Sequence, residues 1–141
     1  MDVRLASRSG FCHGVENAIE QAARVLEEGR PGAICSLGEV IHNRQVVDRL
    51  AEGGLKVLDR PEDVSAGDTV LIRSHGAPPE VIETLRRRGA HIVDATCVLV
   101  TRAQTLVREL DSEGYQVVVI GDENHPEVRG VVGYGHNVIC V

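Results

Sequence analysis

Residues 69–79, Thr-Val-Leu-Ile-Arg-Ser-His-Gly-Ala-Pro-Pro, decide the fold of this chain. The apolar, partly β-branched run 69–73 predicts a strand, and His75 follows it in a loop with turn-forming neighbours. Pro78 and Pro79 suit the first turn of a helix, where the backbone N–H that proline lacks has no partner within the helix. A strand, a polar loop and a helix in this order are typical of a parallel βαβ unit.

The same alternation runs along the whole chain. Helix-like segments separate the run at 69–73 from further strand-like runs at 3–6, 33–37, 55–58, 92–94, 116–120 and 138–141. The clearest helical stripe lies at 15–28 and ends at Gly29, and Asn43 is suited to cap a second helix. A further helix begins at Cys97, with an apolar stripe of Val100, Ala103, Leu106, Val107 and Leu110. We therefore predict an α/β fold, an open parallel sheet with flanking helices.

The last predicted strand lies at the end of the sequence. A final strand at 138–141 would end the chain without the covering helix that a parallel edge normally requires. The sequence is therefore expected to be incomplete.

Composition excludes several classes of function. The 141 residues contain no Trp and few aromatics, and the net charge is −6, which argues against a nucleic-acid-binding module. No apolar stretch approaches the roughly 20 residues that span a bilayer. The N-terminus has no signal-peptide core. We expect a soluble cytoplasmic protein that binds neither nucleic acid nor membrane.

Two cysteines occupy the same kind of position. Cys12 lies between two glycines at a predicted strand-to-helix turn, and Cys97 opens the helix after the strand 92–94. A helix N-terminus favours the thiolate, the form needed for metal binding or nucleophilic attack. The two thiols are candidates to hold an iron-sulfur cluster, to form a redox pair or to supply half of a zinc site. Cys35 and Cys140 are expected to be core residues.

Three histidines lie in loops between predicted elements. His42, His75 and His125 each have polar or turn-forming neighbours, a setting in which an imidazole binds an anion, a metal or a proton in transfer. The carboxyl ends of parallel strands face one crevice, so these side chains are expected to converge. Glu127, two residues after His125, is a candidate proton donor if its carboxyl is partly desolvated and so kept neutral.

Five short motifs follow one another along the chain. They are Gly10-Phe11-Cys12-x-Gly14-Val15, Ile41-His42-Asn43, Arg73-Ser74-His75-Gly76, Asp94-Ala95-Thr96-Cys97 and Asn124-His125-Pro126-Glu127 with its surroundings at 121–130. Together and in this order they resemble the 4-hydroxy-3-methylbut-2-enyl diphosphate reductases, the terminal enzymes of the non-mevalonate isoprenoid pathway. The resemblance runs to about Gly130. It implies a first α/β lobe over residues 1–96 and the beginning of a second, related α/β lobe over 97–141, apparently truncated.

The resemblance implies an iron-sulfur site. Cys12 and Cys97 would be two of three cysteines that hold a [4Fe-4S] cluster, with the remaining iron free for substrate. Family members are considerably longer, and the third cysteine belongs to the part that this chain lacks. The chain departs from the family beside both cysteines, since Val98 stands where proline is usual and His13 is bulkier than its counterpart in many members.

The resemblance also implies a substrate pocket. His42, His75 and His125 would line the diphosphate site, with imidazolium donors offsetting the diphosphate charge, and Glu127 would relay the proton. The family reaction is the reductive dehydroxylation of 4-hydroxy-3-methylbut-2-enyl diphosphate to isopentenyl and dimethylallyl diphosphate. Its two electrons come from ferredoxin or flavodoxin. This chain would be catalytic only when completed by the rest of the protein or by another subunit.

Two other functions fit parts of the pattern. The alternative to the enzyme is a non-catalytic metal-binding or assembly module with zinc at Cys12 and Cys97. A nicotinamide-dependent oxidoreductase is a weaker reading, because residues 6–10 after the first predicted strand lack Gly-x-Gly-x-x-Gly.

Overall fold

The computed structural model describes residues 2–7 and 9–141, which alternate between helices and strands. In chain order the elements are α1 (His13–Glu28), β1 (Ile34–Leu37), α2 (Arg44–Glu52), β2 (Lys56–Leu58), a 3-10 turn (Pro61–Asp63), β3 (Thr69–Ile72), α3 (Pro79–Arg87), β4 (His91–Asp94), α4 (Val98–Ser112), β5 (Val117–Val119), α5 (Pro126–Val132) and β6 (Val138–Cys140). The predicted α/β class, a parallel sheet with flanking helices, is confirmed.

The prediction of a strand at residues 3–6 is wrong. These residues have no regular secondary structure, and the side chains of Val3 and Leu5 are 72% and 88% exposed. A strand is stabilised by hydrogen bonds to a neighbouring strand, and residues 3–6 have none among the strand pairings of the described residues. Cys12 therefore follows a segment without regular secondary structure rather than a strand.

The sheet order brings two particular loops together. Strands β2, β1, β3 and β4 lie side by side in that order, and every pair is parallel. The chain runs outward from β1 to β2 and then, in the opposite direction, from β3 to β4. The order thus reverses between β1 and β3, and ligands of open parallel sheets bind in the crevice beyond the carboxyl ends of strands at such a point.

Strand β3 supplies side chains to both faces of this sheet. All four of its residues are buried, as expected for a central parallel strand covered on both sides. Leu71 packs on one face with Ala18 and Ala22 of α1. Val70 and Ile72 point to the other face, in the cluster that contains Leu85 of α3.

Helix α4 differs in one respect from the predicted stripe. Val100 and Val107 are buried as expected, but Leu106 is 53% exposed and Gln104 is buried in its place. Position 104 is four residues after Val100 and three before Val107, so all three share one face of the helix.

The second predicted lobe contains a smaller sheet. Strands β5 and β6 form a parallel pair on their own, and Val118 and Ile139 are about half exposed on it. A lobe boundary at residue 96/97 stays a prediction. No helix within residues 2–7 and 9–141 is long and apolar enough to cross a membrane.

The position of Leu71 leads to a stability prediction. Leu71→Ala should lower the free energy of unfolding by about 3 kcal/mol, because it leaves a cavity in the fully enclosed centre of the sheet. Leu106→Ala removes the same atoms from an exposed site and should cost less than about 1 kcal/mol. Urea unfolding followed by circular dichroism measures both. Equal losses in the two variants would contradict the placement of β3.

Candidate functional site

Three imidazole rings meet where the loops after β1 and β3 come together. The ring centroids of His42 and His75 lie 4.7 Å apart, and that of His125 lies 5.8 Å from His75 and 6.3 Å from His42. A cavity of about 210 Å³ is lined by His42 and His75 together with Phe11, Val15, Ile41, Asn43 and Ser74. The structure thus brings together histidines that lie as far as 83 residues apart in the sequence, namely His42 and His125.

Local capping interactions position these loops. Asn43 is the N-cap of α2 and accepts a hydrogen bond from the Val46 N–H through its side chain, which fixes His42 immediately before the helix. Ser74 is buried, and its hydroxyl donates to the Val40 carbonyl over 3.3 Å. The loops carrying His42 and His75 are therefore tied to each other.

His75 is the most perturbed group of the cluster. Burial, and then the neighbouring basic side chains, lower its pKa from 6.5 to about 4; those side chains are His42, Arg73 and His125. Its Nδ1 atom is buried and has no protein partner among the described residues. Burial therefore favours the neutral ring of His75, and its role as an imidazolium donor to a diphosphate stays a prediction.

His125 is held in one orientation by the helix that it begins. It is the N-cap of α5, and its Nδ1 atom accepts a hydrogen bond from the Glu127 N–H over 3.3 Å. In the neutral ring the proton then resides on Nε2, so His125 presents an Nε2–H donor. The Glu127 side chain is exposed in the described structure and so lacks the desolvation that a neutral carboxyl requires.

The two candidate cysteines are both helix N-caps. Cys12 precedes α1 and Cys97 precedes α4, and both are free thiols. A Cβ atom on Gly14 would lie 2.5 Å from Cys97 Sγ, so only glycine leaves space beside that sulfur. Since Gly14 is two residues from Cys12, the two cysteines lie in the same corner of the molecule. This corner adjoins the histidines, because the Cys97 N–H donates to the Ser74 carbonyl over 2.9 Å.

This corner fits part of an iron-sulfur site. Cluster ligands are typically cysteine thiolates, and Gly14 has no Cβ atom that would overlap the Cys97 sulfur. Within residues 2–7 and 9–141, no group of three or more His, Cys, Asp or Glu side chains comes together to hold a metal ion. A complete donor set therefore needs ligands from outside these residues, and the zinc alternative gains no third ligand from them either.

The remaining cysteines behave differently from each other. Cys35 is fully buried in β1, and burial raises its pKa to about 11, so it is a core residue as expected. Cys140 is only half-buried, and its thiol lies 3.3 Å from the Gly121 carbonyl. Cys140 is therefore less deeply buried than a core position would have it, and nothing in the described residues makes it a ligand.

Sequence reasoning missed two polar residues near the site. Gln104 is 4% exposed, and its Nε2 atom has no partner in the described part of the chain; it packs against Gly76 and lies near Gly130. Its signal was a polar residue on the buried stripe of α4. Arg73 was quoted within a motif but given no role, although it acts on the pKa of His75.

Fold and site together define the class of this protein. It is a parallel α/β protein with an imidazole cluster at the point where the strand order reverses and two helix-capping thiols beside it. The family model described as LytB protein matches residues 3–141. The chain therefore belongs to the LytB family, as the resemblance of its motifs indicated.

Curated relatives carry the name that the motifs suggested. The chain is 45% identical over 141 residues to the 4-hydroxy-3-methylbut-2-enyl diphosphate reductase of Geobacter metallireducens, with 100% of this chain and 49% of the relative covered. It is 45% identical over 134 residues to that of Aquifex aeolicus, with 95% and 46% covered. The chain thus spans about half the length of the curated relatives it matches.

Solved structures agree on the fold. A structure of (E)-4-hydroxy-3-methyl-but-2-enyl diphosphate reductase, described as the terminal enzyme of the non-mevalonate pathway, matches with a TM-score of 0.84 and 44% identity over 96% of this chain and 49% of its own. The E-1-hydroxy-2-methyl-but-2-enyl-4-diphosphate reductase of Plasmodium falciparum matches with a TM-score of 0.91 and 29% identity, over 96% and 42% of the two chains.

The low pKa of His75 predicts a pH dependence of stability. Its folded pKa of about 4 lies below the ordinary 6.5, so the unfolded chain binds the proton more tightly. Stability contributed by the neutral ring is full above about pH 6.5 and is lost as the pH falls towards 4. The stability difference between the parent and His75→Gln should therefore shrink over this range in urea unfolding. His91→Gln, at the exposed start of β4, is the matched control, and parallel curves for His75→Gln would contradict the assignment.

Proposed function

We propose that this chain is the N-terminal part of a 4-hydroxy-3-methylbut-2-enyl diphosphate reductase. The reaction adds two electrons and two protons to the substrate, releases its allylic hydroxyl as water, and gives isopentenyl or dimethylallyl diphosphate. The observation that carries the proposal is the imidazole cluster, three rings within 6.3 Å of one another, in a chain of the LytB family.

In this proposal the imidazole cluster holds the diphosphate. His125 offers its Nε2–H as a donor, since its Nδ1 is already occupied by the Glu127 N–H. The Nδ1 atom of His75 has no partner in the described part of the protein, and a nearby diphosphate would favour its protonated form and so convert it into a charged donor. His42 lies at the cavity wall, next to the capped start of α2.

Cys12 and Cys97 are the proposed ligands of a [4Fe-4S] cluster. Such a cluster supplies the electrons and polarises the substrate hydroxyl. The chain's own part is to present two thiolates at helix N-termini and, through Gly14, to leave room for the Cys97 sulfur. The third cysteine and the rest of the pocket would come from the half of the relatives that this chain does not match.

Glu127 is the proposed proton relay. Glu127 lies in the first turn of α5, two residues after His125, and is exposed here. Bound substrate and the remaining polypeptide would have to exclude water from it, which would favour the neutral carboxyl that can donate a proton. The electron donor in this proposal is ferredoxin or flavodoxin, and the compartment is the cytoplasm.

Anion binding by the imidazole cluster is tested with inorganic pyrophosphate. Histidine ring resonances followed by NMR should move during the titration, and His42→Asn, His75→Asn and His125→Asn should each weaken binding about tenfold, because each removes one hydrogen bond to a charged ligand. His91→Asn, at the opposite end of the sheet, should leave the affinity unchanged. Binding that survives all three cluster variants would disprove the assignment.

Cluster binding is tested by anaerobic reconstitution with iron and sulfide. The chain should take up a labile cluster, seen as bound iron and visible absorption, and Cys12→Ser and Cys97→Ser should abolish most of it because each removes a thiolate. Cys140→Ser is the matched control, a half-buried thiol on β6 that should not matter. Zinc retained at one per chain after aerobic purification would favour the assembly module instead.

A further inference from the structure

A second concentration of positive charge lies beside the His75 loop. Arg73 and Arg129 line a cavity of about 310 Å³, whose wall also includes Gly38, Asp59, Pro78 and Val81. None of the residues that line this cavity also lines the cavity at His42 and His75. The arginines therefore form a site of their own, which the proposed reductase chemistry does not use.

The two guanidinium groups repel each other. Burial first, and then the charge of Arg129, lower the pKa of Arg73, while Glu39 acts in the opposite direction with a smaller effect. A Cβ atom on Gly38, a residue with φ of 72°, would overlap the Arg73 guanidinium, so the glycine makes room for it. Holding like charges together in a partly buried cleft is unfavourable unless an anion compensates them.

The protein itself supplies little compensation. Within residues 2–7 and 9–141, no carboxylate lies within ion-pair distance of Arg73 or Arg129, although Asp59 shares the cavity wall. Other arginines do have such partners, namely Arg24, Arg30, Arg44, Arg60 and Arg86. Arginines such as Arg49 and Arg102 also lack an ion pair among the described residues, but they are exposed, whereas Arg73 is half-buried.

Helix α3 adds to the positive potential of the cavity. Pro78, its N-cap, and Val81, in its first turn, both line the wall. The N-terminal end of a helix carries a partial positive charge and favours a nearby anion. The two guanidinium groups and the N-terminal end of α3 therefore all favour an anion in the same cavity.

We propose that the cleft between Arg73 and Arg129 binds a phosphoryl group, either as inorganic phosphate or as the phosphate of a small metabolite. The planar fork of a guanidinium matches the oxygens of phosphate, and two forks can share one dianion. A volume of about 310 Å³ suits a ligand of this size. The site stands beside the imidazole cluster, and the two cavities share no lining residue.

The test is a titration of the 141-residue chain with inorganic phosphate at constant ionic strength, followed through the arginine Nε–Hε signals in NMR. The Arg73 and Arg129 signals should shift with a single dissociation constant. Arg129→Gln and Arg73→Gln should each weaken that constant at least about tenfold, since each removes a charged hydrogen-bond donor. Arg102→Gln, an exposed residue on α4, is the matched control and should have no effect.

Two further titrations separate this site from its neighbours. His42→Asn should leave phosphate binding unchanged; if it abolishes the shifts, the anion binds at the imidazole cluster and the inference fails. Acetate, with one charge and two oxygens, should bind more weakly, and equal binding would contradict a phosphoryl site. Absence of shifts, or equal effects of Arg129→Gln and Arg102→Gln, also overturns it. Circular dichroism verifies that each variant is folded. If Arg73→Gln unfolds, the test rests on Arg129→Gln, because Arg129 is exposed.

Discussion

The site depends on the two hydrogen bonds made by Ser74. Its hydroxyl donates to the Val40 carbonyl, in the segment before His42, and its own carbonyl accepts the Cys97 N–H. Ser74 is buried directly beside His75. One residue thus joins three loops that carry the candidate groups, and an unmade bond at a buried position would cost more than the bond itself contributes.

The strand order makes this junction possible. Because β1 and β3 are neighbours whose crossovers run in opposite directions, the loops that follow them leave the sheet at the same edge without a helix between them. Basic side chains then accumulate at this edge: the imidazole cluster on one side of the His75 loop and the two arginines on the other. Burial, and then these neighbouring basic side chains, lower the pKa of His75, and the positive potential of the whole edge favours anions.

Sequence patterns predicted the regular elements well, because apolar periodicity and caps such as Asn43 are local signals. They failed at residues 3–6, where a strand-like run pairs with no strand of the described residues, and at Leu106, where the buried face of α4 includes Gln104 instead. The motifs identified His42, His75 and His125, but no local pattern gives the distances between them. The low pKa of His75 and the pairing of Arg73 with Arg129 arise from tertiary contacts, so the sequence carried no direct signal for them.

The central claim is that the three imidazoles share one site. Nuclear Overhauser effects between the ring protons of His42, His75 and His125 test it directly, since such effects report protons within about 5–6 Å and the ring centroids here are 4.7 to 6.3 Å apart. The account predicts cross-peaks from His75 to both of the other rings. Rings that show contacts only to separate neighbours, with no cross-peak between any two of them, would contradict it.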